Sequence, residues 1–194
     1  MTTLRFDGKK ATYENIKDMV ISYIQECGEK VFITPDNDHG KRSGGDTLEV
    51  SDMVVVIRNP KKPTKKEFKK LVGSVGSKFI KLDKIYIYNK YNIPKVIEVL
   101  KNKLETRRAV FTMFTTDQIN NYVHCVIGGQ FLVRDGKISL RVFMRSNDAY
   151  NAFIGNVMEF TYALHCIAEE LGLEVDKYIH YATSMHIYEI DLGE

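Results

Sequence analysis

The stretch YVHCVIGGQFLVRDGKISLRVFMRSNDAYNAFIGNVMEFTYALHCIAEELG, residues 122–172, decides how the chain is read. Two β-rich runs, 122–133 and 138–144, flank Asp135-Gly136. A tight hairpin turn needs positive φ at its central residues, which Asp and Gly tolerate, so the pair predicts a β-hairpin. Gly128-Gly129 interrupts the first strand and predicts a bulge. Residues 149–171 form the most apolar helical stretch of the chain, stopped by Gly172. Such a helix predicts the central element of the core.

Outward from this stretch the pattern alternates. In 12–28, Ile16, Met19, Val20, Tyr23, Ile24 and Cys27 recur on one helical face, with Gly28 as the stop. The polar, glycine-containing segment 35–46 reads as a loop. A strand is expected over 53–57, a short surface helix over 67–72 and a second strand over 85–88. Pro94 suits the first turn of a helix running to about Glu105. Strands are expected over 110–114 and 178–190. The sum is an α/β (α+β) fold in which one mixed sheet carries its helices on one face, as a single domain over residues 1–194.

Composition narrows the class. At 44% apolar and 27% charged, the 194-residue chain has an ordinary globular balance. No apolar run reaches the ~20 residues that span a bilayer, so no membrane partner is expected. The N-terminal MTTLRFDGKK lacks an apolar core segment, so no secretory signal is expected. Three cysteines make no disulfide framework and suggest a reducing, cytoplasmic compartment. The net charge of +3 hides an asymmetry: residues 58–108 hold 16 Lys/Arg against 4 Asp/Glu, which would attract phosphate-bearing partners.

Several side chains could carry chemistry. Cys125 is either a small buried hydrophobe or a nucleophile, and as a nucleophile it needs nearby cations to favour its thiolate. His124 is a poor partner for it, because successive strand residues face opposite ways. Arg145-Ser146 offers a guanidinium fork and a hydroxyl to phosphate oxygens. Arg42, Arg107 and Arg108 also stand at loop edges. Asp148 reads either as a helix cap or as a functional acid. Asn156 places a carboxamide in an apolar helix, able to donate and accept at once, which suits a pyrimidine edge. His186 and Tyr188 share a strand face. His180 and His186 also fall on one face but lack a third ligand, so no metal is expected. No phosphate-binding glycine loop, dinucleotide fingerprint or zinc-finger spacing is present, and no nucleic-acid-binding module is indicated.

Taken together, these residues resemble the thymidylate synthase and pyrimidine hydroxymethylase family, best from Thr106 to Asp191. Cys125 falls at the family's nucleophile. Arg145-Ser146-Asn147-Asp148, with Asn156 eight residues on, matches the spacing from phosphate ligand to pyrimidine reader. His186-Ile-Tyr188 matches the segment that holds the deoxyribose 3′-hydroxyl. Arg107-Arg108 resembles the arginine pair that reaches across a dimer to the neighbour's phosphate. Arg42 resembles the N-terminal phosphate arginine, and Tyr88 resembles the tyrosine that assists proton removal from C5. The end soon after His-Ile-Tyr-Glu-Ile-Asp resembles the short archaeal members.

The resemblance implies a thymidylate synthase-like fold and C5 methylation of dUMP. The one-carbon donor would be 5,10-methylenetetrahydrofolate or a related reduced pterin, with Asp148 facing it and no metal. It also implies a homodimer with a shared phosphate site. A dUMP or dCMP hydroxymethylase and a catalytically impaired nucleotide-binding homologue are the alternatives, and an asparagine at 156 implies uracil. The chain departs from the family at several points, with Ala152, Ile154 and Gly155 replacing the family's glycine and Pro-Phe before the asparagine. His124-Cys125-Val126 stands where Pro-Cys-His is usual, no counterpart of the catalytic glutamate is found, since Glu67 is out of register, and there is no Trp.

Overall fold

The computed structural model describes residues 1–34, 44–72, 76–113 and 123–193. The expected loop 35–46 with Arg42, and the outer ends of the strands expected over 110–114 and 122–133, lie largely outside the described residues.

Strand β1 (Thr2–Asp7) leads to helix α1 (Tyr13–Cys27), strand β2 (Glu29–Ile33) and the long strand β3 (Gly45–Arg58). Three short helices follow, α2 (Lys65–Leu71), α3 (Lys84–Lys90) and α4 (Ile93–Asn102). Strand β4 (Val110–Thr112), the hairpin β5 (Val126–Arg134) and β6 (Lys137–Asp148), helix α5 (Phe153–Leu171) and strand β7 (Glu174–Tyr188) complete the fold. The sheet runs β1-β3-β7-β6-β5-β4, with β2 also on β3. β1 lies parallel to β3 and β6 parallel to β7, while the other pairs are antiparallel. The mixed sheet is the one expected, and α1 and α5 both pack on one of its faces.

Local chemistry explains the element ends. Thr12 caps α1, and Asn15 answers it with a bond back to the Thr12 N–H. Asp135 (φ 52°) and Gly136 (φ 72°) make the expected tight turn between Arg134 and Lys137. The expected bulge falls between Val126 and Gly128. A Cβ on Gly128 would stand 2.4 Å from the Phe111 carbonyl, so β4 can lie there only against a glycine. Gly172 (φ 67°) ends α5. Nearly every side chain of α5 from Phe153 to Ala168 is buried, as its apolarity predicts, although the helix begins at Phe153 rather than at 149.

Three expectations are corrected. Residues 85–88 are helical, because Asp83 caps the turn through the Tyr86 N–H and only Ile87 of α3 points fully inward. Strand β3 extends well before 53, and β1 and β2 were not anticipated. Their signal, the Leu4/Phe6 alternation and a Val-Phe-Ile run, is short.

One irregularity shapes the site. Buried positions alternate by two along β3, β6 and β7, then step by three at one common level. The steps run Val50 to Met53, Met144 to Asn147 and Ala182 to Met185. Asp52, at φ 55°, marks the step on β3. Each strand swaps its faces there. His180 therefore turns into the core under the helices, while Ser184, His186 and Tyr188 emerge on the other face. The expectation that His180 and His186 share a face fails for this reason.

Candidate active site

The site stands where β6 and β7 end and α5 begins, the usual place for ligands in a parallel strand-helix-strand unit. Cys125 lies at a bend just before β5 rather than within a strand, and its side chain is exposed. Its carbonyl accepts the Arg145 N–H (2.8 Å), which ties the bend to β6. The Ser146 hydroxyl points at the Cys125 Sγ, 3.6 Å away. Arg145 binds the Val123 carbonyl through Nε (3.1 Å) and Nη2 (2.9 Å), and Ser146 Oγ through Nη1 (3.2 Å). Of five guanidinium hydrogens, two remain for a ligand.

Asp148 is not a helix cap, since Ala152 precedes α5. Its Oδ1 accepts the N–H groups of Tyr150 (3.0 Å) and Asn151 (2.9 Å), and its Oδ2 accepts the Asn151 side chain (2.9 Å). His186 faces Asp148 across β6–β7 and meets Tyr188 edge-on at 5.2 Å. Burial pushes the His186 pKa down, against the pull of Asp148 and Glu49, so its ring is neutral at pH 7. Burial, followed by Asp148, Cys125 and Asp191, pushes the Tyr188 phenol up. Cys125, Arg145, Ser146, Asp148, His186 and Tyr188 thus form one group.

Asn156 is buried and belongs to a relay that sequence reasoning missed. Its Nδ2 donates to Asn147 Oδ1 (3.2 Å), Asn147 Nδ2 meets His180 Nε2 (2.9 Å), and His180 Nδ1 meets the Tyr178 hydroxyl (2.8 Å). Burial alone pushes the His180 pKa down to about 3, so the ring is neutral. With Asn147 donating to Nε2, the His180 proton sits on Nδ1. Asn156 keeps its carbonyl oxygen and one amide hydrogen for a ligand, in an orientation fixed by Asn147. Asn147 lay inside the quoted Arg145–Asp148 motif, but nothing in the sequence signalled that His180 turns inward.

Three expected residues stand apart. Tyr88 sits on α3, half-buried, with its hydroxyl 3.4 Å from Glu170 near the far end of α5. Asn156 and Glu170 are separated by about 21 Å along the helix axis. Tyr88 therefore does not join the group. Arg107 and Arg108 are exposed ahead of β4, and Phe131, well along β5, bonds back to the neighbouring Ala109. Arg42 lies outside the described residues. Glu67 caps α2 by accepting from the Thr64 N–H (2.9 Å), which accounts for that acid without chemistry.

A family model described as "Thymidylate synthase" matches residues 73–193, more than half of the chain. The chain belongs to the thymidylate synthase family. A Methanothermobacter marburgensis protein named "Putative thymidylate synthase" is 34% identical over 104 residues, covering 53% of this chain and 47% of the relative. The thymidylate synthase of Leuconostoc mesenteroides is 30% identical over 133 residues, covering 63% of this chain and 41% of the relative. The chain thus spans less than half the length of both. The thermostable thymidylate synthase A of Bacillus subtilis superposes with a TM-score of 0.69 at 19% identity, covering 93% of this chain and 82% of that one. The fold is therefore that of thymidylate synthase. Among the described residues no cluster could hold a metal ion, and no helix is long and apolar enough to cross a membrane.

Proposed function

We propose that this chain is a one-carbon transferase that alkylates C5 of dUMP, through addition of Cys125 to C6. One observation carries the reading. An exposed thiol, a hydroxyl aimed at it, a guanidinium and an orientation-locked carboxamide stand together at the ends of β6 and β7.

Arg145 holds the 5′-phosphate with the two guanidinium hydrogens that its bonds to Val123 and Ser146 leave over. The Ser146 hydroxyl hydrogen is aimed at Cys125 Sγ, and the Arg145 guanidinium holds that hydroxyl in place. As Sγ bonds to C6, the C5–C6 π electrons move toward O4. Asn156 Nδ2–H meets that oxygen as its negative charge grows, and Asn156 Oδ1 accepts from N3–H. Cytosine offers the opposite pattern at these two atoms, and Asn156 cannot flip to meet it without breaking its bond to Asn147. His186 and Tyr188 receive the 3′-hydroxyl. C5 is left as the nucleophile.

A methylenetetrahydrofolate-type donor supplies the one-carbon unit when bound. The donor set fits such a group at Asp148, whose Oδ2 holds one hydrogen bond and keeps a lone pair for a pterin N–H.

The partner is a second copy. The sheet face away from α1 and α5 carries a row of Val54, Tyr181 and Phe143 across three strands, with Phe143 50% exposed. The site opens at the end of that face. A two-fold dimer packed there would let Arg107 and Arg108 of the partner subunit complete the phosphate site.

Tritium release from 5-tritiated dUMP, with methylenetetrahydrofolate present, tests the reading. Release is expected in the wild type and is lost in Cys125→Ser, while dUMP binding persists. Binding without release in the wild type would refute catalysis. Mass analysis of the product separates dTMP from 5-hydroxymethyl-dUMP, and the latter would mark a hydroxymethylase.

A further inference from the structure

We propose that Glu49, acting through Ser184, fixes the imidazole tautomer of His186 and so makes the site select a nucleotide with a free 3′-hydroxyl. The selectivity rests on the nucleotide reading above, whereas the tautomer does not.

Glu49 on β3 stands directly opposite His186 on β7. Ser184, two residues before His186 on the same face, donates its hydroxyl hydrogen to Glu49 Oε2 at 2.6 Å. The same Ser184 oxygen lies 3.3 Å from His186 Nδ1. A serine hydroxyl has one hydrogen, and here the carboxylate holds it, so toward Nδ1 the oxygen can only accept. The imidazole proton must then sit on Nδ1. Ser51 Oγ, 3.4 Å from Glu49 Oε1, helps hold the carboxylate in place.

The consequence appears at the other ring nitrogen. Nε2 keeps its lone pair, and Tyr188 packs edge-on to hold the ring plane. Nε2 then accepts a hydrogen from a ligand hydroxyl and repels a ligand acceptor, such as a 3′-phosphate oxygen. Glu49 touches no substrate atom and is a positioning residue. Glu49 and Ser184 drew no attention in the sequence, because only the register of β3 against β7 brings them to His186.

The test is a 15N spectrum of the histidine side chains at pH 7.5, with calorimetric affinities for dUMP and 2′,3′-dideoxyuridine 5′-monophosphate. In the wild type, His186 is expected in the Nδ1–H form, with dUMP preferred about tenfold. In Glu49→Ala the Ser184 hydrogen is freed to donate to Nδ1. In Ser184→Ala the relay is cut. Both should move His186 toward the Nε2–H form and pull the dUMP preference toward unity, with affinity for the dideoxynucleotide unchanged. Glu49→Gln keeps an acceptor oxygen and should restore wild-type behaviour, which a merely structural role for the side chain does not require. An Nε2–H form in the wild type, or an unchanged tautomer in both alanine variants, overturns the proposal. A protein that shows the tautomer shift yet binds neither nucleotide refutes the nucleotide reading and leaves the role of Glu49 on the ring standing.

Discussion

Two polar clusters are buried against α5 only three residues apart, and they are built differently. The first, Asn156–Asn147–His180–Tyr178, is neutral throughout. The second centres on Glu159, which has no exposure. It accepts from the Tyr91 hydroxyl (2.7 Å), Lys90 Nζ (3.3 Å) and the Lys81 N–H (3.3 Å). Burial pushes the Glu159 carboxyl up, while Lys90, Tyr91 and Lys81 pull it back. A neutral relay fixes direction, because each group has one way to donate and one to accept. A buried charge fixes position, because whatever compensates it must stay close. The neutral cluster fixes the orientation of the Asn156 carboxamide. The charged one clamps α3 and the lysine-rich segment onto α5.

The largest test breaks the charged cluster. Glu159→Ala strands the hydroxyl of Tyr91, a residue 1% exposed, and leaves the Lys90 ammonium to the Phe79 carbonyl (3.1 Å). Removing one partner of such a pair should cost about 3–5 kcal/mol in unfolding free energy, read from urea denaturation midpoints. The folded fraction should bind dUMP as the wild type does. A fall in affinity that tracks the fall in stability would show that the two clusters act as one unit.

A smaller effect comes from the neutral cluster. Asn156→Asp replaces the amide donor with an acceptor, so O4 of uracil meets a carboxylate. Affinity for dUMP should drop by about 1–3 kcal/mol, roughly five- to 150-fold, with dCMP gaining relative to dUMP. Calorimetry with both nucleotides reads the ratio, and an unchanged ratio would remove Asn156 from base recognition.

The same contrast explains what the sequence made legible. The hairpin at Asp135-Gly136 and helix α5 follow from local rules, turn chemistry and apolar continuity, and both stand in the fold. Cys125, Arg145, Ser146, Asp148, Asn156, His186 and Tyr188 were visible as types at a spacing, and the β6–α5–β7 unit brings them together. Residues 84–90 are helical although Ile-Tyr-Ile-Tyr alternates like a strand, because the Asp83 cap that starts the helix is a weaker signal than the alternation. The same helix carries Tyr88 away from the group. His180, Glu49 and Ser184 stayed hidden because a face swap shared by three strands decides where they point. That shift is a property of the assembled sheet, and no single segment carries it. Glu159 was hidden because a lone acid in an apolar helix does not reveal its partners 68 and 69 residues away.

The smallest test separates the clusters by acid. His180 is neutral when folded, with a pKa near 3 against 6.5 when unfolded, so below pH 6.5 the unfolded chain takes up a proton that the folded one refuses. Its contribution to stability is complete above pH 6.5 and declines by about 1.4 kcal/mol per pH unit as pH falls toward 3. Glu159 acts in the opposite sense. Its raised pKa costs stability as pH climbs past the ordinary carboxyl value of 4.5, so that cost eases on acidification. His165 and His186, both lowered by burial, act in the same direction as His180. His180→Gln keeps polar contacts for Asn147 and Tyr178 but cannot titrate. Its unfolding free energy, measured by urea denaturation at pH 6.5 and at pH 5, should fall less steeply than the wild type's by about one proton. An unchanged slope would mean that His180 is already protonated in the folded state, and the neutral relay that orients Asn156 would then have to be redrawn with a charge at its centre.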